Sequence, residues 1–267
     1  MRAPELRGVD ERQDGEIVLR LEDVHQDADS AITEDSIVGI ARDLGRLSGT
    51  WLGRRTESAW LFRGWINRHA QPGTQAAGRE ALRRAHPAAP DRLGSRLDLG
   101  IRLINAQPCI AALLDSLPQT LCHHDAVGAN ILRCGGATVL IDWESVGPGA
   151  VGADLASLLF SSARRGDCSA RLVIRCFDAA VGAYADGIRQ TGANVDLASV
   201  RLGINAAITL RWKLLADLRV ALEQGTPTRR GTSPHEGSDA ATDELVLLTG
   251  VLEAAADEVL GLRPPMV

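Results

Sequence analysis

The stretch LCHHDAVGANIL, residues 121–132, combines a histidine, an aspartate and an asparagine in the spacing H-x-D-x-x-x-x-N. Polar side chains stand here between two apolar ends. Asp125 can act as a general base, because a carboxylate within hydrogen-bond reach of a hydroxyl can accept its proton. The loop predicts such chemistry only if the rest of the chain places suitable partners beside it.

The residues after this loop predict a β-hairpin that ends in an acid. Two short apolar runs, ILR and ATVLID, flank a Gly-Gly pair, which suits the positive φ angles of tight hairpin turns. A tight hairpin over 131–144 brings Asn130 close to Asp142. An amide oxygen beside a carboxylate is a hard-oxygen site that suits Mg²⁺. Asp125 then lies outside the metal shell, where it can orient a nucleophilic hydroxyl.

Together these motifs resemble the aminoglycoside phosphotransferases and related small-molecule kinases such as choline kinase, which share the protein-kinase fold. The catalytic loop of that family matches HHDAVGAN, its metal-binding strand end matches IDWE, and its next helix start matches GADLASL. The resemblance implies Asp125 as the catalytic base and Asn130 and Asp142 as Mg²⁺ ligands. It further implies His123 as a structural residue of the catalytic loop, Glu144 as a candidate ligand of a second metal ion, and Asp154 as a brace of the loop.

Plainer interpretations apply to His123 and Glu144, and two positions are open for His124. His123 is a hydrogen-bonded loop histidine rather than a ligand or base. The adjacent His124 faces either solvent or substrate. Alternatively, Glu144 is a structural or solvated acid, because its neighbour Asp142 already supplies the metal site.

The remaining sequence predicts an α+β fold that is mainly helical. GEIVLRLEDV, residues 15–24, has the alternation of a half-buried strand, and APELRGV before it supplies a partner strand. Apolar residues three or four apart predict a helix over 36–52, and a second helix, interrupted by Pro108, runs towards Leu117. Further helices are predicted over 153–163, about 172–190, 196–223 and about 243–261, with a mobile connection over 225–242.

The resemblance divides the chain into two unequal lobes. Residues 1–24 correspond to a remnant of the N-terminal lobe and the hinge, and residues 25–267 to the kinase-like helical C-terminal lobe. Backbone groups around Glu22 and Val24 then lie where the family contacts adenine, so the implied cofactors are Mg²⁺ and ATP or another nucleoside triphosphate.

The small lobe as read from this sequence lacks three family features. These are a glycine-rich hairpin over the phosphates, a strand lysine that binds them, and a helix whose glutamate holds that lysine. Lys213 is the only lysine, and it lies in the C-terminal helices. An alternative alignment puts Arg20 in the lysine's place and 34–49 in the place of the glutamate helix. We disfavour it, because no further strands then precede the segment 51–68.

Composition limits the function classes. A net charge of −5 and an aromatic content of 3% are atypical of a nucleic-acid-binding protein. There is no run of eighteen apolar residues, and the N-terminus lacks the apolar core of a secretory signal, so we expect a cytoplasmic protein without a membrane partner. Five cysteines without a C-x-x-C pair predict buried thiols.

Two functions compete at this point. The first is a small-molecule phosphotransferase that transfers a phosphoryl group from a nucleotide to a hydroxylated metabolite or antibiotic. The second is a repurposed kinase fold, which acts as a binding protein, a partner subunit or an enzyme of another class through the acceptor pocket. The absence of the lysine and of the glycine-rich cover favours the second function, because phosphoryl transfer then lacks the charge stabilisation that these features supply. A shortened small lobe should also expose an apolar face, which predicts a homodimer or a partner protein that covers it.

Overall fold

The structure is a computed structural model that describes residues 1–27, 32–54, 57–84, 92–225 and 238–261. The strands in these ranges form three two-stranded antiparallel sheets, which pair β1 with β2, β3 with β6 and β4 with β5. In chain order the strands are β1 Leu6–Glu11, β2 Ile17–Leu21, β3 Gln119–Cys122, β4 Ile131–Cys134, β5 Ala137–Leu140 and β6 Gly147–Ala150.

Helices make up most of the described chain, which confirms the mainly helical α+β fold predicted from the sequence. They are α1 Glu34–Trp51, α2 Trp65–His69, α3 Pro72–Arg83, α4 Arg96–Ser116, α5 Ala153–Ala156, α6 Ser162–Arg165, α7 Ala170–Arg189, α8 Leu197–Thr209, α9 Lys213–Gln224 and α10 Ser238–Gly261. A π-helical stretch, Ser157–Ser161, joins α5 to α6. Two short 3₁₀ turns flank the hairpin formed by β4 and β5: Gly128–Asn130 precedes β4, and Trp143–Ser145 follows β5.

The N-terminal hairpin of β1 and β2 exposes an apolar face. Opposite residues such as Val9 and Leu19 share one side of an antiparallel pair. That side carries five apolar residues, each between 50% and 64% exposed: Leu6, Val9, Ile17, Leu19 and Leu21. The exposed apolar face expected of a shortened lobe is therefore present, while its cover by a homodimer or a partner protein and the lobe boundary at residue 24 stay predictions.

Helices α1 and α7 pack with their backbones in direct contact. A Cβ atom placed on Gly45 would lie 2.0 Å from the carbonyl oxygen of Tyr184, and one on Gly187 would lie 2.0 Å from that of Arg42. The hydroxyl groups of Ser48 and Tyr184 are hydrogen-bonded at 2.6 Å across the same contact. The two glycines are therefore required because no side chain fits between the helices.

We predict that Gly187→Ala lowers the free energy of unfolding by about 1 to 3 kcal/mol, because the added methyl group forces the two backbones apart. Gly182→Ala is the matched control in the same helix, since a Cβ at that position meets no atom within 4 Å. The control should be neutral or slightly stabilising, because alanine favours a helix more than glycine does. Chemical denaturation measures both, and equal effects of the two substitutions would contradict the close packing.

Helix α4 runs without interruption through Pro108, so the predicted break at that residue is wrong. Proline in a helix interior removes a hydrogen bond and costs about 3 kcal/mol. Here Leu103, Ile110 and Leu114 are at most 1% exposed on one face of the helix, and their burial offsets that cost. By length and composition α4 could also cross a membrane, but this buried face packs in the protein core.

The helix predicted over 196–223 is two helices, since α8 ends at Thr209 and α9 begins at Lys213. Neither glycine nor proline marks the break in the sequence. Arg211 lies in the intervening turn, is 6% exposed, and donates hydrogen bonds to Ser157 and Ser161. The break therefore depends on tertiary contacts, and it places the guanidinium of Arg211 in the interior of the protein.

The sheet of β3 and β6 was not predicted. Its register pairs Gln119 with Ala150 and Cys122 with Gly147. The sequence of β6 is GPGA, which carries no strand propensity. The pairing places the start of the 121–132 loop beside the segment that leads into α5. Residues 226–237 of the predicted mobile connection lie outside the described residues, and α10 begins at Ser238, earlier than expected.

Candidate functional site

The backbone that follows β3 is held by the carboxylate of Asp154. One of its oxygens accepts the N–H of His123 at 2.8 Å, and the other accepts the N–H of His124 at 2.7 Å. Asp154 is 1% exposed, and His124 has a φ of 65°, which is uncommon for a residue with a side chain. The residue expected to brace the loop is thus placed where it stabilises an unfavourable loop conformation.

His123 is fully buried, and both of its ring nitrogens have partners. Nδ1 accepts the backbone N–H of Asp125 at 3.3 Å, and Nε2 lies 3.0 Å from the carbonyl oxygen of Ile141. The Nε2-protonated tautomer satisfies both contacts. The ring also meets Trp143 edge to face, with 4.7 Å between centroids. His123 therefore links the loop to the end of the hairpin and has no free nitrogen for proton transfer.

The side chain of Asn130 is fixed by Asp125. Its Nδ2 donates at 2.9 Å to the backbone carbonyl of Asp125 and at 2.9 Å to the carboxylate oxygen Oδ2 of the same residue. Both amide hydrogens are used, which leaves the amide oxygen of Asn130 as a free acceptor. The other carboxylate oxygen of half-buried Asp125 has no hydrogen bond within the described part of the chain.

Asp142 follows β5 at the end of the hairpin where Asn130 precedes β4. The N–H of Ile141 donates to the carbonyl oxygen of Asn130 at 3.0 Å, so the two candidate ligands flank one backbone hydrogen bond. Asp142 has a φ of 61° and is exposed. Among the residues that the structure describes, its carboxylate has neither an ion pair nor a hydrogen bond. A free carboxylate and a free amide oxygen fit the oxygen ligands that Mg²⁺ prefers.

A cavity of about 650 Å³ opens beside Asp125. Its walls come from the 121–132 loop, helix α2, the π-helical stretch with α6, and helix α9. Glu144 lies in this wall, whereas Asn130 and Asp142 do not line it. Asp125 therefore stands between the cavity and the candidate metal ligands.

His124 and His69 contribute neutral imidazoles to the cavity wall. His124 is 5% exposed, so the solvent-facing alternative is wrong; its ring stacks on Trp65 with 4.8 Å between centroids. Burial lowers the pKa of His124. Burial, and after it the nearby Arg211, lowers the pKa of His69 to about 3.

Cys122, His124 and Asp154 bring potential metal ligands within 4.8 Å of one another. Both oxygens of Asp154 already accept backbone N–H groups, and burial raises the pKa of the Cys122 thiol well above its usual value. A neutral thiol and an occupied carboxylate indicate a hydrogen-bonded interior. The predicted buried thiols are found at Cys122, Cys168 and Cys176, while exposed Cys109 and partly exposed Cys134 depart from that prediction.

Glu22 and Val24, expected near adenine, lie outside the cavity. The carboxylate of Glu22 pairs with Arg2 and accepts the N–H of Glu5 at 3.1 Å; these bonds lower its pKa to about 2. The backbone N–H of Arg2 in turn donates to Thr138 of β5. The segment expected to be the hinge is thereby attached to the hairpin that ends at Asp142.

The two residues considered in place of the missing lysine have other contacts. Arg20 pairs with Asp10 across the N-terminal hairpin at 3.1 Å, and Lys213 lies 3.9 Å from Asp217 on α9. Neither contact resembles a lysine held by a helix glutamate in the small lobe. Sequence reasoning also missed Arg164, Arg165 and Arg211 in the cavity wall, and only the Arg-Arg pair could have drawn attention to them.

Comparisons with known proteins agree with the motifs. A search of curated proteins finds no significant match. An aminoglycoside phosphotransferase from Alicyclobacillus acidocaldarius subsp. acidocaldarius DSM 446 is similar in structure, with a TM-score of 0.55 and 17% identity over 95% of this chain and 75% of that one. A choline/ethanolamine kinase family protein from Mesorhizobium loti has a TM-score of 0.48 and 15% identity over 97% of this chain and 75% of that one.

The first of these structures supports the kinase-like fold that the motifs predicted. The model of the "Phosphotransferase enzyme family" matches residues 6–190, which contain the N-terminal hairpin, the loop with Asp125 and the brace at Asp154. Since this match spans well over half of the sequence, the chain belongs to the phosphotransferase enzyme family.

Proposed function

We propose that this protein transfers a phosphoryl group from a Mg²⁺-bound nucleoside triphosphate such as ATP to a hydroxyl group of a small molecule. The observation that carries the proposal is the arrangement of Asp125, Asn130 and Asp142. The amide of Asn130 is held by Asp125, and its oxygen and the carboxylate of Asp142 have no partner among the described residues. Family membership supports phosphotransfer as the general class of reaction.

Each residue of this arrangement has a separate task. Asn130 and Asp142 would hold Mg²⁺, which neutralises charge on the transferred phosphoryl group when it is bound. Asp125 keeps one oxygen on Asn130 and offers the other to the acceptor hydroxyl. It accepts the hydroxyl proton as the hydroxyl oxygen bonds to the γ-phosphorus and the bond to the leaving nucleoside diphosphate breaks. Asp154 positions Asp125 by holding the two preceding N–H groups, and His123 fixes the N–H of Asp125 itself.

A second function is favoured by one observation, the position of the only lysine. Lys213 lies at the start of α9 with its side chain 57% exposed, far along the chain from the N-terminal hairpin. Under this alternative the protein binds a small molecule in the cavity and transfers no phosphate. It remains a candidate because the charge that a lysine supplies to the phosphates contributes to transition-state stabilisation.

Calorimetric titration with ATP, with and without Mg²⁺, separates the two functions. We expect Mg²⁺-dependent binding that weakens by about tenfold or more in Asp142→Asn, because a neutral amide is a poorer Mg²⁺ ligand than a carboxylate. Asp98→Asn, at an exposed position of α4, is the control and should bind as the unaltered protein does. No binding by folded protein at millimolar ATP and Mg²⁺ would reject phosphotransfer in favour of the second function.

A further inference from the structure

Arg211 carries a buried positive charge in the wall of the cavity. It is 6% exposed, and its three nitrogens donate to Ser161 Oγ at 2.7 Å, the Ala207 carbonyl at 2.5 Å and Ser157 Oγ at 2.8 Å. No carboxylate of the described residues lies within ion-pair distance of it. Burial, and after it the neighbouring Arg164, lowers its pKa to about 10, so the guanidinium stays protonated at neutral pH.

Arg219, the other buried arginine of the described chain, shows the usual arrangement. It is fully buried on α9, donates to the carbonyl oxygen of Arg84 at 2.7 Å, and pairs with Glu223 at 3.1 Å. Removing a charge from water is costly unless an opposite charge meets it. Asp125 and Asp154 favour the charged form of Arg211 from beyond ion-pair distance. An anion in direct contact with this guanidinium would therefore have to come from outside the described residues.

Two backbone irregularities meet at Arg211. The turn at 210–212 interrupts what would otherwise be one helix, and the π-helical stretch Ser157–Ser161 presents both serine hydroxyls to the guanidinium. π-helical turns are rare in proteins, and those that occur are often found at functional sites. Since Ser157, Ser161 and Arg211 all line the cavity beside Asp125, the irregular backbone serves the cavity wall.

The rest of the wall is also cationic. Among the described residues, the cations of the wall are Arg68, Arg164, Arg165, Arg211 and Lys213, and its acids are Asp125, Glu144 and Asp217. Arg164 and Lys213 both pair with Asp217. Arg165 also pairs at 3.5 Å with Asp167, which lies outside the wall. Neutral His69 and His124 do not alter the balance, so the described wall residues together with Asp167 carry one more positive than negative group.

We infer that the cavity beside Asp125 takes an anionic acceptor, a small hydroxylated molecule that also carries a carboxylate or phosphate group. Arginine binds both groups through paired N–H donors, and an anion there would complete the charge balance of Arg211. A polycationic sugar would meet the like charges of the cationic residues in the wall, which opposes binding. The role of this ligand as an acceptor rests on the proposed function, since an acceptor must present its hydroxyl group to Asp125.

The test uses probes of similar size and different charge. Glycerate and glycerol 3-phosphate are the anions, glycerol is neutral, and 3-amino-1,2-propanediol is the cation. Calorimetry without nucleotide should show at least one anion binding about tenfold or more tighter than glycerol, and the amine binding more weakly still. Equal binding of all probes, a preference for the amine, or no binding of either anion overturns the inference.

Variants locate the anion in the cavity. Arg211→Gln keeps donors for the two serines and removes the charge, and we expect a loss of anion affinity of about tenfold with glycerol binding unchanged. The double variant Arg164→Gln/Lys213→Gln changes partly exposed residues and should act in the same direction even if Arg211→Gln does not fold. Arg175→Gln, exposed on α7, is the control for general charge effects. Unchanged anion affinity in the double variant overturns the inference.

Two further outcomes separate this inference from the proposed function. Competitive displacement of the anion by a non-hydrolysable Mg²⁺-nucleotide would mean that the cations serve the phosphates of the nucleotide, which overturns an anionic acceptor. Anion binding without phosphate transfer from ATP would leave the anion site in place and reject phosphotransfer. Phosphate transfer to the amine and not to the anions would retain phosphotransfer and reject the anionic acceptor.

Discussion

Replacing Asp125 with asparagine should reduce kcat for phosphoryl transfer by about 10²- to 10⁴-fold, the usual contribution of a general base. Asparagine has the shape of aspartate, and its side-chain oxygen can still accept the hydrogen bond from Asn130 Nδ2. It cannot take a proton from the acceptor hydroxyl. The assay measures the rate of ADP release at saturating nucleotide, with an acceptor identified among the probes of different charge.

Nucleotide binding distinguishes loss of a base from loss of the site. Asp142 and Asn130 are unchanged in Asp125→Asn, so calorimetry should give an affinity for Mg²⁺-ATP within about twofold of the unaltered protein. Asp142→Asn should instead lose that affinity. If Asp125→Asn retains full activity, Asp125 is not the base and the proposed mechanism is wrong.

The positions of Asn130 and Asp142 can be predicted from the sequence, because the residues that determine them are close together in the chain. Asn130 precedes and Asp142 follows the paired strands of one hairpin, so both lie at its open end. The Gly-Gly turn between the strands has φ angles of 56° and 78°, which fix the pairing of Ile131 with Leu140. The N-terminal hairpin and helix α1 follow in the same way from alternation and from apolar spacing. Short-range pattern is sufficient wherever the partners are close in the chain.

The cavity wall could not be predicted, because it depends on contacts between distant segments. Arg211 reaches Ser157 and Ser161 only because a helix breaks where the sequence has neither glycine nor proline, and because the backbone widens into a π-helical stretch. Strand β6 is similar, since GPGA becomes a strand only by pairing with β3. In each case tertiary contacts overrode the local propensity.

Replacing Asp154 with alanine should lower the free energy of unfolding by about 3 to 5 kcal/mol, since hydrogen bonds to a charged group contribute about 1.5 to 3 kcal/mol each. Asp154 makes two such bonds at 1% exposure, to the N–H groups of His123 and His124, and its removal leaves both donors buried without a partner. The positive φ of His124 offsets part of this loss, because the loop of the variant can relax towards a more favourable conformation.

Asp196→Ala is the matched control for Asp154→Ala. Asp196 also accepts two hydrogen bonds, both from Ser199, but it does so as an exposed helix cap at the start of α8. Loss of such a cap costs about 1 kcal/mol, since water can replace the carboxylate there. Denaturant unfolding should therefore separate the two variants clearly. Similar losses would mean that burial adds nothing at Asp154, and the loop carrying Asp125 would then need another source of rigidity.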